Sequence, residues 1–183
     1  MAITFSELAH NLDQLRMSDA RDGPRGIKLR SITYKGSPFK LRLADDLATL
    51  RIPFDPSTYN NNPNESRKNV VFSIPHESFN VFAELEDWCR RELECASLWC
   101  SSLKPSDRYD PLLRAKFHTQ GTISCRYWNK DLETIAAPAI IRNVPLNAVV
   151  HIRGCYESRQ GVGLMLEVAD LQFGDPPSTT CPF

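Results

Sequence analysis

The stretch Ala148-Val-Val-His-Ile-Arg-Gly-Cys-Tyr156 is followed, after the five residues Glu157-Ser-Arg-Gln-Gly161, by Val162-Gly-Leu-Met-Leu-Glu-Val-Ala-Asp-Leu-Gln-Phe173. Both stretches are rich in apolar residues, and much of each follows the period of two that is typical of a half-buried strand. The short polar segment between them contains glycine, as hairpin connections often do. The sequence therefore predicts a long antiparallel hairpin near the end of the chain.

Further strands are predicted upstream of this hairpin, because the same period of two recurs there. Lys35-Gly-Ser-Pro38 has turn chemistry and separates two alternating segments, which predicts a first hairpin. The predicted upstream strands are residues 28–34, 39–43, 50–54, 69–74, 112–118 and 122–128.

One long helix is predicted over residues 76–100, between the two groups of strands. Apolar residues recur there at every third or fourth position, as on the buried face of a helix. They are Phe79, Phe82, Leu85, Cys89, Leu93, Ala96 and Cys100. We expect this helix to pack against the sheet or to cap a barrel.

The order of elements predicts a mainly β protein with one long helix, arranged as a small antiparallel barrel with a helical insertion. Strands and helices do not alternate along the chain, which argues against a parallel-sheet fold. We expect residues 1–26 to form an N-terminal helix or flexible arm, residues 27–173 to form the barrel domain, and residues 174–183 to form a frayed tail.

Composition places the chain among globular proteins. It has 183 residues, 22 basic and 22 acidic side chains, and 42% hydrophobic residues, which suffices for one compact domain with a buried core. No apolar run approaches the ~18–20 residues that span a bilayer, and the first twenty residues lack the apolar centre of a signal peptide. We expect an intracellular protein, in cytoplasm or nucleus, with six reduced cysteines and no contact with a membrane.

No motif of a common enzyme class is present. The four histidines lie in separate predicted elements without the spacing of paired metal ligands, and no C-x-x-C pair occurs. Phosphate-binding loops, nucleophile elbows and dinucleotide fingerprints are absent from the sequence as well. We therefore predict neither catalytic residues nor a metal site nor a cofactor.

Charge is unevenly distributed although the formal net charge is zero. Residues 25–42 contain six basic and no acidic residues, and residues 111–130 contain four basic and no acidic residues. Residues 77–94, in the predicted helix, contain six acidic and two basic residues. A cationic sheet face attracts phosphates even in a neutral molecule, because the local field is set by nearby charges.

The alternation within each predicted strand indicates which basic residues share a face of the sheet. Within residues 112–118, Leu113 and Phe117 are expected to face the core, so that Arg114, Lys116 and His118 form a row on the opposite face. The next predicted strand offers a basic residue beside two aromatic rings, in Arg126-Tyr-Trp128. Cations along a groove and rings on which bases stack are what sequence-tolerant binding of single strands requires. A solvated strand face rich in Lys and Arg is the simpler structural explanation for each residue alone.

Four runs give the chain a resemblance to the single-stranded DNA-binding proteins of large DNA viruses and related phage replication proteins. These runs are Leu98-Trp-Cys-Ser-Ser-Leu-Lys104, Tyr109-Asp-Pro-Leu-Leu-Arg-Ala-Lys-Phe117, Val149-Val-His-Ile-Arg-Gly-Cys-Tyr156 and Gly161-Val-Gly-Leu-Met-Leu-Glu-Val168. The resemblance covers roughly residues 27–173. It implies an OB barrel with an inserted helix and a DNA groove near Arg114, Lys116 and residues 126–128, with Arg153 and Tyr156 added from the closing hairpin.

One departure from the phage proteins concerns protein partners. Those proteins usually end in an acidic tail that recruits other enzymes, whereas the final ten residues of this sequence contain a single acid. If the function is shared, we expect recruitment to use the acidic helix 76–100. Its candidate contact residues are Glu84, Glu86, Asp87, Glu92 and Glu94.

The sequence thus predicts a non-catalytic protein that binds single-stranded DNA in replication, recombination or repair. The predicted nucleic-acid-binding residues are Lys28, Arg30, Lys40, Arg42, Arg114, Lys116, Arg126, Tyr127, Trp128, Arg153 and Tyr156. Two alternatives stay open: a β-barrel protein-interaction subunit of a larger assembly, including one built from copies of this chain, and a barrel that binds single-stranded RNA.

Overall fold

The computed structural model describes residues 2–44, 50–58, 65–94 and 97–174. The α-helices in these ranges are Phe5–Ala9 (α1) and His76–Glu92 (α2), and two short 3-10 helices cover Leu12–Gln14 and Pro24–Gly26. The strands are Leu15–Met17 (β1), Arg21–Asp22 (β2), Lys28–Tyr34 (β3), Ser37–Pro38 (β4), Lys40–Arg42 (β5), Arg67–Ser73 (β6), Leu103–Lys104 (β7), Leu112–His118 (β8), Arg126–Trp128 (β9), Thr134–Ile135 (β10), Leu146–Ser158 (β11) and Gly161–Phe173 (β12).

The predicted C-terminal hairpin is confirmed and forms the centre of the sheet. Strands β11 and β12 pair in antiparallel fashion from Leu146↔Phe173 to Ser158↔Gly161, with two irregularities in register that bend the pair. The main path through the sheet runs β1-β3-β11-β12-β8-β6. The hairpin therefore lies in the middle of this path, with β3 and β1 on one side and β8 and β6 on the other.

Gly154 lies at one of the two irregularities, where β3 crosses close to β11. Its φ is +143°, and a Cβ at this position would lie 1.8 Å from the carbonyl oxygen of Arg30. No side chain fits in that space, so glycine is required for β3 to pair with β11.

The predicted mainly β fold with one main helix is confirmed, with two differences in the sheet. Most strand pairs are antiparallel, but β12 pairs in parallel with both β8 and β9, so the sheet is mixed rather than antiparallel throughout. In addition, the hydrogen-bonded path through the described strands does not close into a barrel. Edge strands β1 and β6 end the path on opposite sides.

Helix α2 begins at the predicted residue but is shorter than predicted. It starts at His76 and ends at Glu92. The prediction included Trp99 and Cys100 in this helix, but the segment that contains them is not helical. Residues 97–104 instead turn back along the sheet, where Trp99 forms a parallel bridge with Val162. Trp99 and Cys100 are half-buried because the chain folds back here and not because a helical period continues, whereas Leu98 between α2 and this contact is exposed.

Two other predicted strands differ from the structure. The turn after β3 is confirmed, since Tyr34 pairs with Ser37, but β5 then leaves this hairpin and pairs with β11. Residues 50–54 form only isolated bridges, and of residues 122–128 only Arg126–Trp128 is a strand. The first 26 residues contain α1, β1 and β2, with β1 and β2 both paired to β3. Of the predicted tail, residues 175–183 lie outside the described residues.

The core lies between the inner face of the sheet and α2. Phe82, Leu85 and Cys89 of the helix are fully buried, and they belong to the same cluster as the inward residues of the strands, among them Phe72 and Leu113. The four described cysteines, Cys89, Cys100, Cys125 and Cys155, are free thiols. Because α2 covers only the inner face, the outer face of the sheet is left as a surface.

Candidate nucleic-acid interface

Strand β8 has the two faces that its sequence predicts. Leu113, Ala115 and Phe117 are buried, whereas Arg114 is exposed and Lys116 is half-buried on the opposite face. The outer face therefore begins with a basic row along this strand.

Cross-strand pairing extends the row over the neighbouring strands, because directly opposed residues point to the same face of a sheet. The pairs Lys116↔Asn69, Lys116↔Glu167, Glu167↔His151 and His151↔Lys40 cross the sheet from β6 to β5. We call this surface the basic sheet face. Its basic residues are Lys40, Arg42, Arg67, Arg114, Lys116, Arg126 and Arg153, and its acidic residues are Glu167 and Asp170.

A cleft of about 280 Å³ lies at the β6–β8 end of this face. We call it the tyrosine cleft, because Tyr156 lines it together with Arg67, Arg114 and Lys116. The amino group of Lys116 donates a hydrogen bond to Oδ1 of Asn69. Burial and the nearby Arg67 guanidinium lower the pKa of Lys116 below its usual value, and the smaller opposing effect of the Glu65 carboxylate does not offset them.

A second cleft of about 330 Å³ lies at the other end of the face. We call it the tryptophan cleft; Arg42, Arg126 and Trp128 line it. The indole Nε1 of Trp128 donates to Asp170 Oδ1 at 2.9 Å, and the guanidinium of Arg126 lies over the same ring at 5.4 Å from its centroid. Arg126 Nε is 2.7 Å from Asp170 Oδ1, so one carboxylate fixes both the ring and the cation.

Glu167 lies on β12 between the residues of the two clefts. Its Oε2 accepts a hydrogen bond of 2.8 Å from Nε of Arg153, and its Oε1 lies 3.7 Å from Nε2 of His118. Burial lowers the pKa of the neighbouring His151, and the positive charges of Arg153 and Lys40 lower it further. His151 is therefore neutral at neutral pH and adds no positive charge to the middle of the face.

Three of the predicted binding residues do not belong to this surface. Tyr127 points to the inner face, where its ring stacks on Phe173 at a centroid distance of 6.5 Å and burial raises its pKa to about 12. Lys28 and Arg30 share the face of buried Ile32, opposite to that of Tyr156, because β3 pairs Leu29 with Tyr156. The structure brings the other eight together: Lys40, Arg42, Arg114, Lys116, Arg126, Trp128, Arg153 and Tyr156.

Sequence reasoning missed the contribution of strand β6 to the face. Arg67 and Asn69 line the tyrosine cleft opposite Lys116, but the predicted strand begins only at residue 69 and so leaves Arg67 out. The alternation that marks residues 69–74 continues back to Arg67, where side chains of odd number still face outward. Extending the predicted strand by two residues would have added Arg67 to the outward row that already includes Asn69.

Glu86 was predicted to lie on the acidic surface of the helix, and this was wrong. It is 3% exposed and accepts hydrogen bonds from Trp99 Nε1 at 3.0 Å, Ser101 Oγ at 2.7 Å and the backbone N–H of Ser102 at 2.8 Å. These bonds hold the segment that forms one wall of the tyrosine cleft, since Ser101 and Ser102 line that cleft. A signal was available, because Glu86 lies four residues after Phe82 and so on the apolar side of the helix.

Taken together, the face offers separated cations and two aromatic side chains on a rigid sheet. Arg114 is exposed and belongs to none of the salt bridges found between described residues. Trp128 and Tyr156 sit in clefts at opposite ends of the face, each beside a basic residue. Cations that contact phosphates and rings that stack on bases are the components of a single-strand binding groove.

The described ranges contain no group of three or more His, Cys, Asp or Glu side chains that could hold a metal ion. Likewise, no helix in the described parts of the chain has the length and apolar character needed to cross a membrane.

Comparison with solved structures identifies the fold. The chain is similar to gp2.5, a single-stranded DNA binding protein encoded by bacteriophage T7, with a TM-score of 0.59 and 11% identity over 78% of this chain and 89% of that one. It is also similar to the single-stranded DNA-binding protein from bacteriophage Enc34, with a TM-score of 0.52 and 12% identity over 92% of this chain and 96% of that one.

These similarities show that the chain has the OB-like fold of phage single-stranded DNA-binding proteins, which confirms the fold that the sequence resemblance implied. No protein-family model and no curated protein sequence matches the chain. At such low identity the likeness concerns the fold, and the binding residues have to be argued from the basic sheet face itself.

Proposed function

We propose that this protein binds single-stranded DNA without sequence preference, acts in DNA replication, recombination or repair inside the cell, and is not an enzyme. The observation that carries the proposal is the basic sheet face, on which eight of the eleven residues predicted from sequence converge. Both phage proteins that share this fold are single-stranded DNA-binding proteins, which supports the same conclusion.

In this proposal the DNA backbone follows the basic residues between the two clefts. Arg114 and Lys116 contact phosphates at the tyrosine cleft, and Arg42 does so at the tryptophan cleft. A phosphate beside Lys116 would add a negative charge to the weak effect of Glu65, and the pKa of this lysine would then rise. Neutralising phosphates releases bound counterions, so affinity falls as salt rises.

Bases would stack in the clefts, where Trp128 and Tyr156 present their rings. Asp170 holds the indole in one orientation before any nucleotide arrives, which reduces the entropy lost on binding. Stacking is worth about 1–3 kcal/mol per base and does not depend on base identity. In a duplex the bases are already stacked on one another, so the same rings would favour single strands.

The experiment is a fluorescence anisotropy titration of a labelled oligo-dT of about 30 nucleotides at low and moderate salt, with duplex DNA and single-stranded RNA as competitors. We expect salt-sensitive binding that duplex DNA does not displace. Trp128→Ala should weaken it, whereas Arg30→Gln, on the opposite face, should not. Failure to bind at low salt would contradict the proposal, and equal competition by RNA would extend it to both polymers.

The exposed acidic side chains of helix α2 support a second proposal, which is contact with a protein partner. Glu84, Asp87 and Glu92 are exposed on its surface, although Asp87 forms an ion pair with Arg90 at 3.2 Å. These acids lie on the helix that covers the inner face of the sheet, and none of the three lines either cleft of the basic sheet face. The charge reversals Glu84→Lys and Glu92→Lys should therefore leave the affinity for oligo-dT unchanged or raise it slightly, while abolishing capture of a basic partner.

A further inference from the structure

The hairpin that carries Trp128 has an unusual residue at its tip. Strands β9 and β10 are joined through residues 129–133, where the N–H of Leu132 donates to the carbonyl of Asn129 at 3.2 Å and the N–H of Asn129 donates to the carbonyl of Glu133 at 3.0 Å. This is a turn followed by one residue in the left-handed region, and Leu132 occupies that position with a φ of +63°. Glycine is the usual residue there, because a side chain is strained at positive φ.

The side chain of Leu132 gains no burial in return for this strain. It is 67% exposed and lies outside the hydrophobic core. A glycine would relieve the backbone and remove an exposed apolar group, so neither local conformation nor packing explains the leucine. Residues held in such sparsely populated conformations often belong to functional sites.

The tip is held in place by hydrogen bonds from one side chain. Asn129 Oδ1 accepts from the N–H of Asp131 at 3.0 Å and from the N–H of Glu133 at 2.9 Å, while its amide nitrogen donates to Glu133 Oε2 at 2.9 Å. Leu132 is thereby fixed in the wall of the tryptophan cleft, which Trp128 and Arg42 also line. The cleft thus pairs an aromatic ring with an aliphatic side chain that points into solvent.

We propose that Leu132 is a nucleotide-contacting residue that packs against a base held in the tryptophan cleft. This inference rests on the proposed function, because the base belongs to the single strand on the basic sheet face. Trp128 supplies the stacking ring, Arg42 and Arg126 supply positive charge, and Leu132 covers apolar base surface from the hairpin tip. A leucine forms no side-chain hydrogen bonds, so the contact suits any base, as sequence-tolerant binding requires.

The test compares stability and affinity in the full chain. Leu132→Gly should raise the Tm by about 2–4 °C, because it removes the strain, and should weaken binding of oligo-dT about fivefold, because it removes the apolar contact. Leu132→Ala should weaken binding of oligo-dT without the same gain in Tm. Leu132→Met should keep most of the wild-type affinity, because methionine is apolar and of similar size. Glu94→Gly is the matched control, since Glu94 is exposed at a φ of +45° near the end of α2. It should raise the Tm without weakening binding.

The outcomes separate this inference from the proposed function. Wild-type binding of oligo-dT together with unchanged affinity of Leu132→Gly would overturn the role of Leu132 alone. A fall in the Tm of Leu132→Gly would also overturn it, since the leucine would then be needed for folding. If the wild-type chain did not bind oligo-dT at all, the proposed function and this inference would fail together.

Discussion

Arg114→Gln provides a quantitative test of phosphate contact. Arg114 is exposed on the basic sheet face, pairs across the sheet with Val71, and belongs to none of the salt bridges found between described residues. Its removal should therefore delete one phosphate contact without releasing an acidic side chain or opening a cavity. The substitution should leave the circular dichroism spectrum and the Tm unchanged.

The magnitude follows from counterion release. For single strands each phosphate contact contributes about −0.7 to the slope of log affinity against log salt. The slope of the Arg114→Gln variant should thus be shallower by about 0.7. When counterion release accounts for the loss, the affinity of Arg114→Gln should be about eightfold below that of the wild-type chain at 50 mM salt but only about threefold below it at 200 mM salt.

The assay is anisotropy of labelled oligo-dT at five or more salt concentrations, with the wild-type chain and Arg91→Gln measured in parallel. Arg91 is exposed on α2 and carries the same charge, so its variant controls for long-range attraction. A slope for Arg114→Gln that equals the wild-type slope, or a change as large in the Arg91 variant, would refute the assignment of the sheet face.

Three further predictions concern the scaffold and the cleft. Glu86→Gln should lower the free energy of unfolding by about 2–4 kcal/mol in urea titrations, because the carboxylate accepts three hydrogen bonds; a loss below about 1 kcal/mol would contradict this. Gly154→Ala should lower it by more than about 3 kcal/mol or prevent folding, because its Cβ would meet the carbonyl oxygen of Arg30; a stable variant would show that the strands can separate there. The pKa of Lys116 lies below that of an ordinary lysine, so affinity for oligo-dT should begin to fall at a lower alkaline pH than in the Lys116→Arg variant, whose guanidinium stays charged; identical pH profiles would contradict this.

Much of the fold could be predicted because local patterns coincide with burial. Strand β8 and the long hairpin of β11 and β12 alternate between core and surface, so that their period of two is visible in the sequence. The end of α2 could not be placed, because Trp99 and Cys100 lie against the sheet and Cys100 continues the apolar spacing of the helix in the sequence. Parallel pairing of β12 with β8 is a long-range property that no local pattern records.

Site residues could be assigned to the correct face of the sheet where the alternation within one strand was enough. They could not be assigned where the face depends on the register between two strands. Arg114 and Lys116 could be assigned to the outer face from their own strand. Arg30 could not, because its face depends on how β3 pairs with β11, and a shift of one residue exchanges the two faces. Tyr127 lies between two outward residues of β9, so alternation correctly applied would have placed it inward.

The most direct test of the account is to locate bound DNA on the protein. Ultraviolet crosslinking of oligo-dT to the wild-type chain, followed by mass spectrometry of the peptides, identifies the side chains in contact with bases. We predict crosslinks at Trp128 and Tyr156, in the two clefts of the basic sheet face. Crosslinks confined to α2 or to the inner-face residue Tyr127, with none at either cleft, would contradict the assignment of this face as the nucleic-acid interface.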